Sequence, residues 1–185
     1  TKVFHSIEGG AVAFHDPELK DLLYQLINFG ITGYEQVEYV GANGKMNEFQ
    51  AAMGLCNLRH VDADIAKRKV LTERYRERLG GVEGIRLCKE KDGVRYNYAY
   101  MPVVFEGYGA DRDEIFATLK EYNIFARKYF YPCINDYACY REQFSSDDTP
   151  VAKRIASEVL TLPLYPDLSL ETVDEICDII QKCGE

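Results

Sequence analysis

Thr1-Lys2-Val3-Phe4-His5-Ser6-Ile7-Glu8-Gly9-Gly10 places a lysine just ahead of a turn that ends in Glu-Gly-Gly. The apolar run at residues 11–14 follows and reads as a short strand, so the turn leads the chain into a sheet edge. A lysine in that place can hold its amine over a pocket and form an imine. No methionine stands before it in this sequence, so much of any pocket around Lys2 is expected to come from elsewhere.

Outward from this turn, Asp16-Pro17-Glu18 reads as a helix start, with aspartate as cap and proline at the first helical position. Leu19, Leu22, Leu23, Leu26 and Ile27 recur at helical spacing until Gly30. Residues 31–45 are polar and glycine-bearing, with at most a short strand around residues 37–40. A helical pattern with the apolar stripe Phe49, Ala52, Met53 and Cys56 begins near Asn47, and a highly charged helix runs from about Asp62 to Leu79. That charge run reads as a solvated face.

The remaining residues alternate strands with helices. Strands are predicted at 85–88, 98–105 and 124–129. Asp111, Thr149-Pro150 and Ser169 read as helix starts, and the last helix is lined by Leu170, Val173, Ile176, Cys177 and Ile180. This order predicts a small α+β layer, a short sheet with helices on one face.

Composition narrows the function. A length of 185 residues, 46% hydrophobic and 28% charged, fits a globular chain of one domain or of a small domain with part of another. The net charge of −8 repels phosphate backbones and anionic lipid surfaces, so neither nucleic acid nor membrane is an expected partner. The six cysteines form no C-x-x-C pair, and with three histidines they give no zinc signature, so no metal is expected. They read as reduced thiols of a cytoplasmic protein, with Cys56 and Cys177 acting as small hydrophobes inside helical patterns.

The second informative block is Gly41-x-Asn43-x-Lys45-Met46-x-Glu48-x-x-Ala51-Ala52-x-Gly54-Leu55. Alone, a glycine-rich approach to a helix reads either as a connecting loop or as backbone amides offered to a phosphate. Together with Lys2 and Glu8-Gly9-Gly10, about forty residues upstream, it resembles the DegT/DnrJ/StrS sugar aminotransferases, fold-type I enzymes that use pyridoxal 5′-phosphate (PLP). Leu162-Pro163-Leu164-Tyr165-Pro166 resembles that family's C-terminal segment, so the resemblance runs the length of the chain.

The resemblance implies an α/β to α+β fold. Residues 1–45 would end the PLP-binding large domain, and residues 46–185 would form linking helices and the small C-terminal α+β domain. Lys2 matches the lysine that forms an imine with PLP, and Asn43 matches an asparagine that reaches the cofactor phosphate of the other subunit. Lys45 lies beside that interface, and Arg127, Lys128, Tyr129 and Tyr131 are candidates to contact a diphosphate or donor carboxylate. Histidine replaces the lysine in the family's dehydratase branch, so Lys2 implies transamination.

The implied reaction moves an amino group, from L-glutamate, to a nucleotide-linked keto-deoxysugar for polysaccharide biosynthesis, in a cytoplasmic homodimer with shared active sites. Most of the cofactor domain precedes the lysine in the family, so this chain is expected to be the C-terminal part and to bind PLP poorly by itself. The alternative reading is a non-catalytic fragment, a small α+β domain for association or ligand binding. Two departures bear on the sugar side: Tyr131-Pro132-Cys133-Ile134-Asn135 and Tyr98-Ala99-Tyr100 both lack a histidine that many members carry.

Overall fold

The computed structural model describes residues 2–185; Thr1, the first residue of the lysine motif, lies outside the described residues. The chain forms two compact units, Thr1–Asp62 and Ala63–Glu185.

In the first unit, α1 (Leu19–Ile27) is followed by a two-stranded antiparallel ribbon of β1 (Ile31–Gly33) and β2 (Gln36–Val37). The α-helix begins at Leu19 rather than at Pro17. Asp16 instead closes a preceding turn, its Oδ1 accepting the Glu18 amide at 2.9 Å. Gly30 ends the helix as expected: at φ 77° its amide donates to the Gln25 carbonyl at 2.8 Å, which terminates the helix with a left-handed residue. α2 (Glu48–Leu58) starts from a reciprocal capping box. Asn47 Oδ1 accepts the Gln50 amide at 2.9 Å, and Gln50 Oε1 accepts the Asn47 amide at 3.1 Å.

Two expectations for this unit are corrected. Residues 11–14 form no strand and are exposed. A strand needs a hydrogen-bonded neighbour, and the two sheets among the described residues do not include this segment. The stripe Phe49, Ala52, Met53 and Cys56 is exposed too; Gly54 is the buried residue of α2.

α3 (Val61–Leu79) carries the chain into the second unit, where β3 (Ile85–Leu87), β4 (Met101–Phe105) and β5 (Val159–Leu162) form an antiparallel sheet with β4 in the middle. Met101, Val103 and Phe105 face a core shared with Leu160 and Leu162, with Leu71, Tyr75 and Leu79 of α3, and with helices α4 (Arg112–Glu121) and α6 (Leu170–Cys183). Val104 and Val159, paired on the opposite face, are also buried, so both faces of the sheet are covered rather than one. α5 (Pro150–Glu158) leads directly into β5. The predicted strand at 124–129 is reduced to one bridge, in which Arg127 and Thr161 exchange backbone hydrogen bonds at 3.0 and 2.7 Å.

The charged face of α3 is more than solvated. Arg74 grips Asp174 with two bonds, Nε to Oδ1 at 2.7 Å and Nη2 to Oδ2 at 2.9 Å. One turn on, Arg78 donates to Asp174 at 2.7 Å and to Asp178, and Gln181 donates to the Arg78 carbonyl. Numbers rise together on the two helices, so α3 and α6 run parallel. Asp174 is held below the ordinary carboxylate range, first by the Arg74 hydrogen bonds and then by Arg78.

All six cysteines are free. Cys177 lies fully buried in the core, and burial pushes its thiol up to about 12. Cys56 is exposed, which corrects the small-hydrophobe reading for that residue.

Candidate active site

Lys2 is exposed, but the chain behind it is tied down within the first unit. The Gly9 amide donates to the Ser6 carbonyl at 3.0 Å, closing a turn through Ile7, which has φ 61°. Ser6 is buried against α2, where a Cβ added to Gly54 would lie 3.3 Å from the Ser6 Cβ. Asn57, one turn along α2, donates from Nδ2 to the His5 carbonyl at 2.8 Å. The lysine segment is therefore mounted on the helix that follows the Asn43 block.

Asn43 is held by backbone geometry. Residues 42–44 run along the end of α1: the Ala42 amide donates to the Leu26 carbonyl at 2.8 Å and the Gly44 amide to the Ile27 carbonyl at 2.8 Å. The Phe29 amide donates back to the Ala42 carbonyl at 3.1 Å. These bonds satisfy carbonyls that a helix end leaves unpaired. They leave Asn43 in a bridge with Asn28, at an exposed position. Lys45 turns back onto the same corner, its Nζ 3.2 Å from Asn28 Oδ1 and 4.2 Å from the centre of the Phe29 ring.

The remaining candidates belong to the second unit. Arg127 Nη1 donates to the Tyr129 hydroxyl at 2.6 Å. Tyr129 stacks on Phe130 at 4.8 Å and meets Tyr100 edge-on at 6.0 Å. Tyr131 lies under Arg112, whose guanidinium sits 4.8 Å from the ring centre, and it lines a cavity of about 410 Å³ with Cys133, Asp136, Lys153 and Arg154. Lys128 turns away to Asp113 at 2.5 Å, and that hydrogen bond, with the one from Arg112, holds Asp113 below the usual carboxylate range.

Lys2, Asn43 and Lys45 thus share one unit, and Arg127, Tyr129 and Tyr131 share the other. Sequence reasoning missed Asn57 and Arg112. Arg112 is buried and donates to the Ala156 and Val159 carbonyls at 3.0 and 3.2 Å, which makes it a support for the Tyr131 region. Neither residue stands in a recognisable motif, because each bonds a distant main-chain carbonyl. The Leu162–Pro166 motif proves to be a structural anchor: the Pro163 carbonyl accepts the Tyr75 hydroxyl at 3.0 Å, and the Leu164 carbonyl accepts Arg68 at 2.9 Å.

The donor set fits an aldehyde-bearing anionic cofactor better than a metal. Lys2 offers an exposed primary amine on an anchored backbone, and Asn43 offers an exposed amide. Among the described residues no group of three or more His, Cys, Asp or Glu could hold a metal ion, and no helix is long and apolar enough to cross a membrane.

Comparison with known proteins returns one family model, the DegT/DnrJ/EryC1/StrS aminotransferase family, over residues 1–181. The dTDP-4-amino-4,6-dideoxy-D-glucose transaminase of Escherichia coli is 39% identical over 178 residues, covering 95% of this chain and 48% of its own length. The solved structure of DesI in the presence of its TDP-sugar product superimposes with a TM-score of 0.89 at 29% identity, covering 100% of this chain and 47% of that one. S. venezuelae DesV in complex with a ketimine intermediate gives a TM-score of 0.83 at 26% identity, covering 92% and 45%. The chain spans about half the length of the curated relatives it matches.

Proposed function

The chain belongs to the DegT/DnrJ/EryC1/StrS aminotransferase family, whose members depend on PLP, and from that premise we propose that it carries the amine-bearing part of a PLP-dependent sugar aminotransferase. The amino donor in this reading is L-glutamate, and the acceptor is a nucleotide-linked keto-deoxysugar in the cytoplasm. The mounting of the Lys2 segment on α2 is the observation that carries the reading: an exposed amine is placed on a backbone fixed by Ser6, His5 and Gly9. In the same reading, residues 1–45 end the cofactor domain, and residues 46–185 are the linking helices and small domain.

PLP, when bound, supplies an aldehyde and an electron sink. Lys2 would be the residue that holds the group covalently through its Nζ, with loss of water, and its amine, when not so engaged, would accept a proton and give it back. Asn43 Nδ2 would hold the cofactor phosphate across a homodimer interface, and Lys45, steadied by Asn28 and Phe29, would add positive charge beside it. Arg127 with Tyr129 presents a cation and a phenol to a diphosphate or a donor carboxylate, and Tyr131 lies beside them in sequence on its own support.

The test is covalent. The chain is incubated with PLP, reduced with borohydride and mapped by mass spectrometry. Lys2 is expected to be modified in preference to the other lysines even where overall binding is weak, and Lys2→Ala to abolish the visible absorbance recorded before reduction. Equal labelling of all lysines sinks the assignment. It would favour the second reading, an association domain without chemistry, which the exposure of Phe49, Leu55 and Leu58 on α2 supports. Sedimentation of the PLP-loaded protein tests the shared site, since an active monomer removes the role given to Asn43.

A further inference from the structure

We propose that Asn57 is a positioning residue for Lys2, fixing the turn that aims the amine; the proposal rests on Lys2 being the residue that reacts with PLP. The turn is not one that its own sequence prefers. Ile7 sits at φ 61°, a left-handed conformation that crowds a β-branched side chain. Such a backbone persists only where surrounding contacts over-determine it.

The structure identifies those contacts. The Gly9 amide on the Ser6 carbonyl closes the turn from within. Ser6 is buried in the notch left by Gly54, a position where any side chain would press on it. The Asn57 amide on the His5 carbonyl, at 2.8 Å, is a side-chain hydrogen bond between α2 and this segment, formed across 52 residues of sequence. His5 adds a weaker local bond, its Nδ1 accepting the Ile7 amide at 3.4 Å. Asn57 suits the task because its amide donates where a carboxylate could only repel the carbonyl. Its bond lies three residues from Lys2, close enough to fix the backbone that carries the amine.

The experiment compares wild type, Asn57→Asp and Asn57→Gln in the full 185-residue chain. Asp keeps the shape and removes the donor; Gln keeps the donor on a longer arm. Two readouts are taken: hydrogen exchange at the Gly9 amide, and borohydride-trapped PLP labelling of Lys2 relative to the exposed Lys120. In Asn57→Asp, Gly9 exchange is expected to accelerate about five- to tenfold, the scale of one lost net hydrogen bond. The Lys2 to Lys120 labelling ratio should fall by a similar factor, and Asn57→Gln should recover most of it.

Wild type that favours Lys2, with an unchanged ratio in Asn57→Asp, overturns the positioning role alone. Faster Gly9 exchange with an unchanged ratio does the same, since it shows a purely structural bond. Wild type that does not favour Lys2 overturns the functional reading, and this inference with it. If Asn57→Asp loses the helical circular dichroism of the chain, Asn57→Ala, which removes the donor without adding charge, decides: a fallen ratio in a folded protein supports the role, and an unchanged ratio overturns it.

Discussion

At the scale of single residues, the acidic partners of α3 show how charge sets stability against pH. Asp174 is shared by Arg74 and Arg78, and its carboxyl is held below the ordinary range. A carboxylate with a depressed folded pKa stabilises above its unfolded value, near ~3.9, and the contribution is lost as pH falls through the folded value. Asp174→Asn is therefore expected to lower the melting temperature at about pH 7 and to match wild type progressively below about pH 4. Thermal unfolding at both pH values checks this, and a difference that persists undiminished in acid contradicts it. The residue proposed to react is subtler. Lys2 was singled out through its motif, yet the contacts that hold its segment fall on main-chain atoms of His5, Ser6 and Gly9, which leave no signature in side-chain identity.

Elements were legible where a local signal was complete. Asp111 and Ser169 cap their helices as their spacing suggested, Asn47 caps the helix expected to begin near it, and the amphipathic face of α6 is buried at Val173, Ile176, Cys177 and Ile180. Replacing Asn47 by Ala removes the side-chain acceptor of the capping box, leaves the backbone amide of residue 47 on Gln50 Oε1, and should remove about 1 kcal/mol of local helix stability. The check is hydrogen exchange of the amides at 50–56, which should quicken while those of α6 stay unchanged. Strands were harder, because a strand is defined by its neighbour. Residues 11–14 have the right composition and no ladder, whereas β5, a run of four buried residues directly after α5, was absorbed into a helix end and a proline motif. Arg127 received half of what was expected, one bridge to Thr161 in place of a strand.

Across the whole molecule, burial is unevenly shared. The fully buried large side chains, from Tyr75 to Ile180, all lie in the second unit, while the first unit leaves Phe49, Leu55, Leu58 and Val40 exposed. Hydrogen exchange should therefore reach its greatest protection in β4, β5 and α6, with α1 and α2 opening at far lower cost. Protection in α1 or α2 equal to that of β4 would show that burial does not set the order. The same asymmetry explains why fold class was more readable than the candidate site: residues 63–185 build a buried core of their own, and the segment around Lys2 builds none. The parallel course of α3 and α6 has an effect on topography as well. The second unit is entered at the start of one helix and left at the end of another running the same way, so its two ends point in opposite directions. They are separated by roughly 30 Å along the helix axes at ~1.5 Å per residue. A surface tether or a fused reporter at Glu185 would accordingly project away from the point where the preceding polypeptide arrives.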